Sequence, residues 1–262
     1  MIRLQRLALA NVAVLGLIFL YVPVIVLVLF SFNDNDLMVL PLSGFTWRWY
    51  ESALANERMM QALLNSLYVA AVATAIALVV GTMAAFALDR VAFPGKTLFR
   101  RIVLMPISLP GIITGISILN MSSLLGVSLS LETVILGHTA MLLAIVVTQV
   151  FARLQRFDRR LEDAASDLGA SPWQTLWRVT LPNISSALIG SALLSFIVSF
   201  DEIPITFFLT GLDNTLPMYI YSIMRQGPSP EINAISTLIL LGSLVLIAIS
   251  IVLLTRDKER HS

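Results

Sequence analysis

The sequence predicts an all-α, polytopic membrane protein with six transmembrane helices. Of its 262 residues, 57% are hydrophobic and 13% charged, against roughly 45–50% and about 25% in soluble domains. Mean hydropathy is +0.87. The apolar residues gather into six runs separated by short polar segments. All Lys and Arg except Arg48, Arg58 and Arg225 fall on one side of those six crossings, which places both termini in the cytoplasm by the positive-inside bias. A net charge of +1 gives no bulk attraction for nucleic acid. With no cysteine, disulfides, thiol catalysis and Cys-ligated metals are excluded. His138 and His261 are far apart and neither sits in a metal-ligand spacing, so no metal or cofactor is expected; His138, inside an apolar run, reads as a hydrogen-bonded packing residue.

The first run, Leu7–Phe30, exceeds the 7–15 apolar residues of a cleaved leader and continues into SFNDND, so it reads as an uncleaved span bent at Pro23. Ser31–Gln61 is a polar excursion with room for a short surface helix. Its Trp47, Trp49 and Tyr50 read as an interfacial belt. Ala62–Leu88 is the second span. The basic loop Asp89–Arg101 holds Gly95-Lys96-Thr97, which ends like a phosphate-binding loop. Arg90 stands where such a loop needs glycine, and no strand precedes it, so ATP binding by this chain is rejected. Ile102–Leu125 is the third span, entered through Pro106 and Pro110. Its Gly111 and Gly115 form a small-residue face for close helix approach, within the chain or between subunits. Thr133–Ala152 is the fourth span, Asn183–Leu209 the fifth and Glu231–Thr255 the sixth, with an outer loop over Gly211–Pro230 and a basic tail.

A long polar segment, Asp158–Pro182, lies between the fourth and fifth runs. Its apolar residues recur mostly at helical spacing, Gly169 divides it, and Ser171 with Pro172 forms the start of a second helix. A helix–glycine turn–helix with one apolar and one charged face suits a lipid surface or a partner groove. Asp163, Ala164 and Ala165, then Gly169, Val179, Leu181 and Pro182, match the Glu-Ala-Ala, Gly, Ile, Leu-Pro loop of ABC importer permeases at its spacing, with Asp for Glu and Val for Ile. Glu162 is a second candidate for the acid's role. The chain thus resembles that family. The resemblance implies the type I ABC importer transmembrane fold in a bacterial inner membrane, with this loop (153–182) docking into a groove on an ATP-binding subunit. It also implies a first helix and outer segment over 1–60, a five-helix transport domain over 61–252 and a cytoplasmic tail over 253–262.

The fifth run carries FDEIPITFF. Acidic residues inside a span are costly and usually face a pore or a partner. Pro204 frees backbone groups beside Asp201 and Glu202. Adjacent helical positions point about 100° apart, so the two acids do not share one target. An acidic lining attracts an amine or guanidinium; the alternative is a water-exposed helix end. FDEIPITFFLTG, LPMYIYSIMRQGPSPEINAIST, PLSGFTWRWY and LLNSLYVA resemble the spermidine/putrescine group of these permeases. That resemblance implies a cation path past Asp201, with Glu202 as neighbour. Some members have an acid after the proline of the third span, where this chain has Gly111. An amino-acid derivative or opine therefore stays open as solute. Thr114, Ser117 and Asn120 offer neutral hydrogen bonding on the third span.

Implied partners are two copies of an ATPase, a second permease subunit, identical or homologous, and an extracytoplasmic solute-binding protein docking over Ser31–Gln61 and Gly211–Pro230, with Tyr219, Tyr221 and Arg225 as contacts. A membrane-embedded hydrolase would need a nucleophile–base pair or a metal set, which the residues do not supply. A channel or stand-alone carrier would not need the docking segment.

Overall fold

The computed structural model describes the backbone of residues 2–259 apart from 37, 226 and 228, and the side chains in that range other than those of 2–10, 107 and 246–259. Arg3, Arg6, Arg256, Lys258, Arg260, His261 and the side chains of the 253–262 tail thus lie outside the described residues. The helices in order are α1 Ile2–Phe30, α2 Arg48–Ala55, α3 Glu57–Arg90, α4 Lys96–Leu104, α5 Gly111–Leu125 and α6 Leu131–Leu154. They continue with α7 Arg160–Asp167, α8 Pro172–Thr175, α9 Leu181–Phe200, α10 Pro204–Leu209, α11 Leu216–Met224 and α12 Pro230–Glu259. Among the described residues the sole β pairing is an isolated bridge between Asn33 and Phe45. Asn11–Phe30, Glu57–Arg90, Leu131–Leu154 and Pro172–Phe200 are long and apolar enough to cross a membrane, and Gly111–Leu125 and Pro230–Val245 are shorter apolar helices.

Three stretches depart from the simple run-by-run expectation, each at a proline. Where Ile102–Leu125 predicts one span, α4 passes through a 3₁₀ turn, Met105–Ser108, before α5 begins. Pro106 and Pro110 each lack the N–H that would carry the helix on. α4 also starts inside the segment expected to be a loop, from Gly95 at φ +83°. The fifth run breaks in the same way: α9 ends at Phe200 and Pro204 opens α10. Conversely, the second half of the polar segment is not a separate helix. Pro172–Phe200 is continuous through a π turn, Leu176–Thr180, where the Leu181 N–H donates to the Leu176 carbonyl. That widened turn accommodates Pro182, whose ring would clash with the carbonyl four residues back.

The packing divides the chain into two units. The first comprises Met1–Met60 and Ile220–Ser262. There α2 packs on α12, with Trp49, Tyr50 and Ala234 buried together and Phe32 and Leu238 against them. The Trp49 indole N–H donates to the Asn33 carbonyl at 2.7 Å, and the Tyr50 hydroxyl lies 2.6 Å from Ser31 Oγ. Trp49 and Tyr50 are therefore core residues rather than a lipid-facing belt, while Trp47 is exposed.

The second unit is Gln61–Tyr219. Its centre is α6, against which α4, α5, α9 and α10 pack. Leu142, Val146, Val150, Ile184, Ile205 and Leu209 are fully buried in this core. Glycines set the spacing. A Cβ on Gly81 would lie 2.8 Å from Val146 Cγ1, so α3 closes on α6 there. The short α10 is held between two glycine faces. A Cβ on Gly137 of α6 would lie 2.6 Å from Leu209 Cδ1 and 2.7 Å from Ile205 Cγ2, and one on Gly115 of α5 would lie 3.0 Å from Phe208 Cδ2. The Gly111/Gly115 pair is thus used inside the chain, to receive α10.

Gly137→Ala overpacks this seat, at an expected cost of about 1–3 kcal/mol, and lowers the melting temperature of the detergent-purified protein. Gly190→Ala meets only the Gln149 Oε1 at an ordinary 3.7 Å and leaves melting unchanged. Thermal unfolding of both variants checks the comparison.

Candidate coupling loop and transport path

The polar segment is built from α7, a glycine turn and α8. The α7 cylinder ends at Leu168, and Gly169 takes φ +83°, with Ala170 N–H donating to the Ala165 carbonyl at 3.0 Å and Gly169 N–H to Ser166 at 2.8 Å. This is the left-handed closure for which glycine is the ordinary choice. A Cβ at Gly169 would meet nothing within 4 Å. On the other side Ser171 caps α8: its hydroxyl accepts from the Gln174 N–H at 3.3 Å, and the Gln174 side chain accepts from the Ser171 N–H at 2.9 Å.

The two acids of the segment do different things. Asp163 is exposed. Glu162 turns inward and accepts a two-pronged hydrogen bond from Arg90 at the end of α3, with Arg90 Nη2 3.0 Å from Oε1 and Nη1 on Oε2. Thr180, at the end of the π turn, donates to the same carboxylate at 2.5 Å. Asp89 extends the chain of charges, 3.0 Å from Arg90 Nε and 2.9 Å from Arg159 Nη2. Partial burial alone would raise the Glu162 carboxyl. The hydrogen bonds from Arg90 and Thr180 and the charges of Arg90 and Arg159 outweigh it and hold the group below its ordinary value.

The motif residues divide between two surfaces. Ala165, Val179 and Leu181 are half-buried, the last two against the α6 core. Asp163, Ala164, Gly169 and Pro182 are exposed. So are large apolar side chains on the same segment: Leu168 is 89% exposed, Trp173 66% and Trp177 56%. The two indoles meet edge to face at 5.6 Å.

The second feature is the break between α9 and α10. Asp201 caps the end of α9 and is exposed. Glu202 is half-buried, and its Oε1 accepts from the Ile205 N–H at 2.8 Å, capping the start of α10. The same carboxylate oxygen would lie 3.2 Å from a Cβ at Gly111. A side chain at position 111 would crowd Pro204, whose Cβ would lie 3.1 Å away, as well as Glu202. On α5, Thr114 is half-buried, Ser117 spends its hydroxyl on the Ile113 carbonyl at 2.7 Å, and Asn120 is exposed. Among the described residues no hydrogen bond joins these three to Asp201 or Glu202. Fully buried on α6, His138 reaches both sides of the break, with Nδ1 2.8 Å from Ser199 Oγ and Nε2 2.9 Å from Thr206 Oγ1.

Residues 77–256 match the family described as the binding-protein-dependent transport system inner membrane component. The chain belongs to this family. It is an ABC importer permease and a multi-pass bacterial inner-membrane protein. It is 36% identical to the spermidine/putrescine transport system permease protein PotC of Haemophilus influenzae over 244 residues, 93% of this chain and 94% of the relative. It is 37% identical to the putrescine transport system permease protein PotI of Escherichia coli over 237 residues, 87% of this chain and 84% of the relative. Among solved structures it resembles a chain of a bacterial alginate ABC transporter, with a TM-score of 0.71 and 18% identity over 95% of this chain and 91% of that one. A chain of the MetNI methionine ABC transporter gives a TM-score of 0.63 at 18% identity over 79% and 97%.

Sequence reasoning about this permease missed Arg90, Thr180 and Asp89, which hold the loop, and Gly137, which seats α10; it read His138 as a hydrogen-bonded packing residue but did not give its partners, Ser199 and Thr206. Arg90 entered only as a basic loop residue and as the side chain that rules out a phosphate-binding loop. The signal was the pairing of an inward acid on α7 with a base ending α3, which spacing does not reveal across so long a separation.

Charge-assisted hydrogen bonds to a half-buried carboxylate are worth about 1.5–3 kcal/mol. Glu162→Gln is expected to raise amide hydrogen exchange across Arg160–Asp167 about tenfold or more at neutral pH, while Asp163→Asn leaves it unchanged. Because the folded Glu162 value is depressed, its contribution is complete at neutral pH and is lost as pH falls through that lowered value. Wild-type exchange protection should therefore fall on acidification, and Glu162→Gln should lack that dependence.

Proposed function

We propose that this permease is the transmembrane subunit of a binding-protein-dependent ABC importer that carries a small cationic solute, putrescine or spermidine, into the cytoplasm. The observation that carries the solute class is 36% identity to a spermidine/putrescine permease over 93% of the chain. On this reading the chain crosses the membrane six times with both termini cytoplasmic, the third crossing being assembled from α4, the 3₁₀ turn and α5. Helices within 61–252 form the transport domain. The partners are two ATPase copies, which hydrolyse the ATP, a second permease subunit and an extracytoplasmic solute-binding protein. The outward residues Ala164, Leu168, Gly169, Trp173 and Trp177 form the ATPase-docking face. Burying a large apolar side chain contributes about 1.5–3 kcal/mol, so three of them suffice to seat the loop. Transport proceeds by alternating access, ATPase closure moving the loop and through it the helices.

The break at Asp201 faces the solute path on this reading. Asp201 has an uncommitted carboxylate, whereas that of Glu202 is engaged with the α10 N-terminus. Gly111, which leaves the path with fewer acids than some polyamine permeases, favours a singly charged solute such as an amino-acid derivative or opine as the second reading. Uptake of labelled putrescine, spermidine and an opine by the assembled transporter decides between them: uptake of the opine alone would overturn the polyamine reading.

Three variants test the residues. Gly169→Asp abolishes uptake although the protein reaches the membrane, because it strains the left-handed turn at φ +83° and puts a charged side chain on the docking face; normal uptake would refute the docking face. Asp201→Asn lowers affinity for a cationic solute by about one to two powers of ten without changing ATPase assembly. Glu202→Gln weakens a helix cap instead and lowers melting temperature more than affinity.

A further inference from the structure

In a membrane a broken helix leaves backbone and hydroxyl groups that must be satisfied by protein. Here α9 stops at Phe200 and α10 restarts at Pro204, and nothing covalent fixes the direction of a six-residue helix after such a break. Two fastenings are on the page. One is local: Glu202 caps the Ile205 N–H, and the Thr206 hydroxyl donates to the Glu202 carbonyl at 3.0 Å. The other is remote: His138 touches Ser199 in the last turn of α9 and Thr206 in the first turn of α10.

The directions of these bonds can be assigned. Thr206 has one hydroxyl proton, already given to the Glu202 carbonyl, so toward His138 its oxygen accepts. His138 therefore carries its proton on Nε2, and Nδ1 accepts from the Ser199 hydroxyl. The result is one directed chain, Ser199 to His138 to Thr206 to the Glu202 carbonyl, that crosses the break through the imidazole. Each link has a single polarity, and the ring is fully buried, so no water substitutes for a lost link.

We propose that His138 is the positioning residue of the transport path. Its imidazole locks α10 to α9 and thereby sets where Asp201 stands, so it governs solute affinity without touching solute or ATPase. Gly137 beside it gives α10 the room to approach, since any side chain there would collide with Ile205 and Leu209. The inference rests on the reading that Asp201 lines the path.

The test is putrescine uptake by the complete transporter in proteoliposomes, with KM, maximal rate and basal ATP hydrolysis read separately. The variants are His138→Phe, which fills the space without the bonds, and Ser199→Ala and Thr206→Val, which each remove one link with little change of volume. The expected result is a five- to tenfold rise in KM for Ser199→Ala and for Thr206→Val, roughly one neutral hydrogen bond each, and at least as large a rise for His138→Phe, which removes both. Maximal rate and basal hydrolysis should stay within twofold. Because the links form one chain, Ser199→Ala with Thr206→Val should raise log KM by clearly less than the sum of the two single effects. A wild-type KM in Ser199→Ala and Thr206→Val overturns the proposal, whether or not His138→Phe folds; equal loss of maximal rate and protein yield at unchanged KM also does. Asp201→Asn separates the two readings. If it raises KM and the three variants do not, the positioning role fails alone; if Asp201→Asn leaves KM unchanged, the path reading fails with it.

Discussion

The fold around the polar segment depends on the Glu162 carboxylate. It is a negative charge held by a two-pronged guanidinium from Arg90 and by the Thr180 hydroxyl, so α3, α7 and the π turn entering α9 meet on one side chain. Asp89 and Arg159 neutralise the remaining charges around it. A loop of short helices, with most of its apolar residues outward, has little core of its own. Its orientation must come from such polar fastening. The benefit of the arrangement is directional. In the proposed coupling role, a push on α7 reaches the ends of two long helices through this carboxylate.

At the far end of α9 the constraint changes from charge to shape. The break at 201–203 is made by Pro204 and kept in place by glycines on two neighbouring helices, by the Glu202 cap and by the His138 contacts. One acid is consumed by that architecture and the other is left exposed. The continuous stretch Pro172–Phe200 runs from Trp173 and Trp177 of the proposed docking face to the break, interrupted only by the π turn. That continuity gives the proposed alternating-access movement a mechanical route. It also explains why Pro182, which would ordinarily end a helix, is tolerated: the wider turn before it removes the clash.

Much of this was legible in the sequence because the signals were local. Gly169, Ser171 and Pro172 declared the turn between α7 and α8, and the composition declared the membrane. The helical class follows from the runs themselves. What was not legible was tertiary. The runs containing Pro106, Pro110 and Pro204 read as single spans, since hydropathy does not register a backbone break between apolar residues. Trp49 and Tyr50 looked like surface aromatics until Asn33 and Ser31 were found bonded to them. Gly111 looked like a missing acid, and the structure places it where Pro204, Glu202 and Ile205 come close to α5. Of the two adjacent acids on α7, spacing selected Asp163 for the family's position, while the structure turns Glu162 toward the rest of the fold.

In the proposed coupling role the loop acts as a rigid transmitter because Glu162 ties it to α3 and α9. The most direct measurement is the number of solute molecules moved per ATP hydrolysed by the reconstituted transporter carrying Arg90→Gln or Glu162→Gln. The account predicts that both variants assemble with the ATPase and hydrolyse ATP while this ratio falls about tenfold, the loss of a charge-assisted pair. An unchanged ratio in both variants would contradict it.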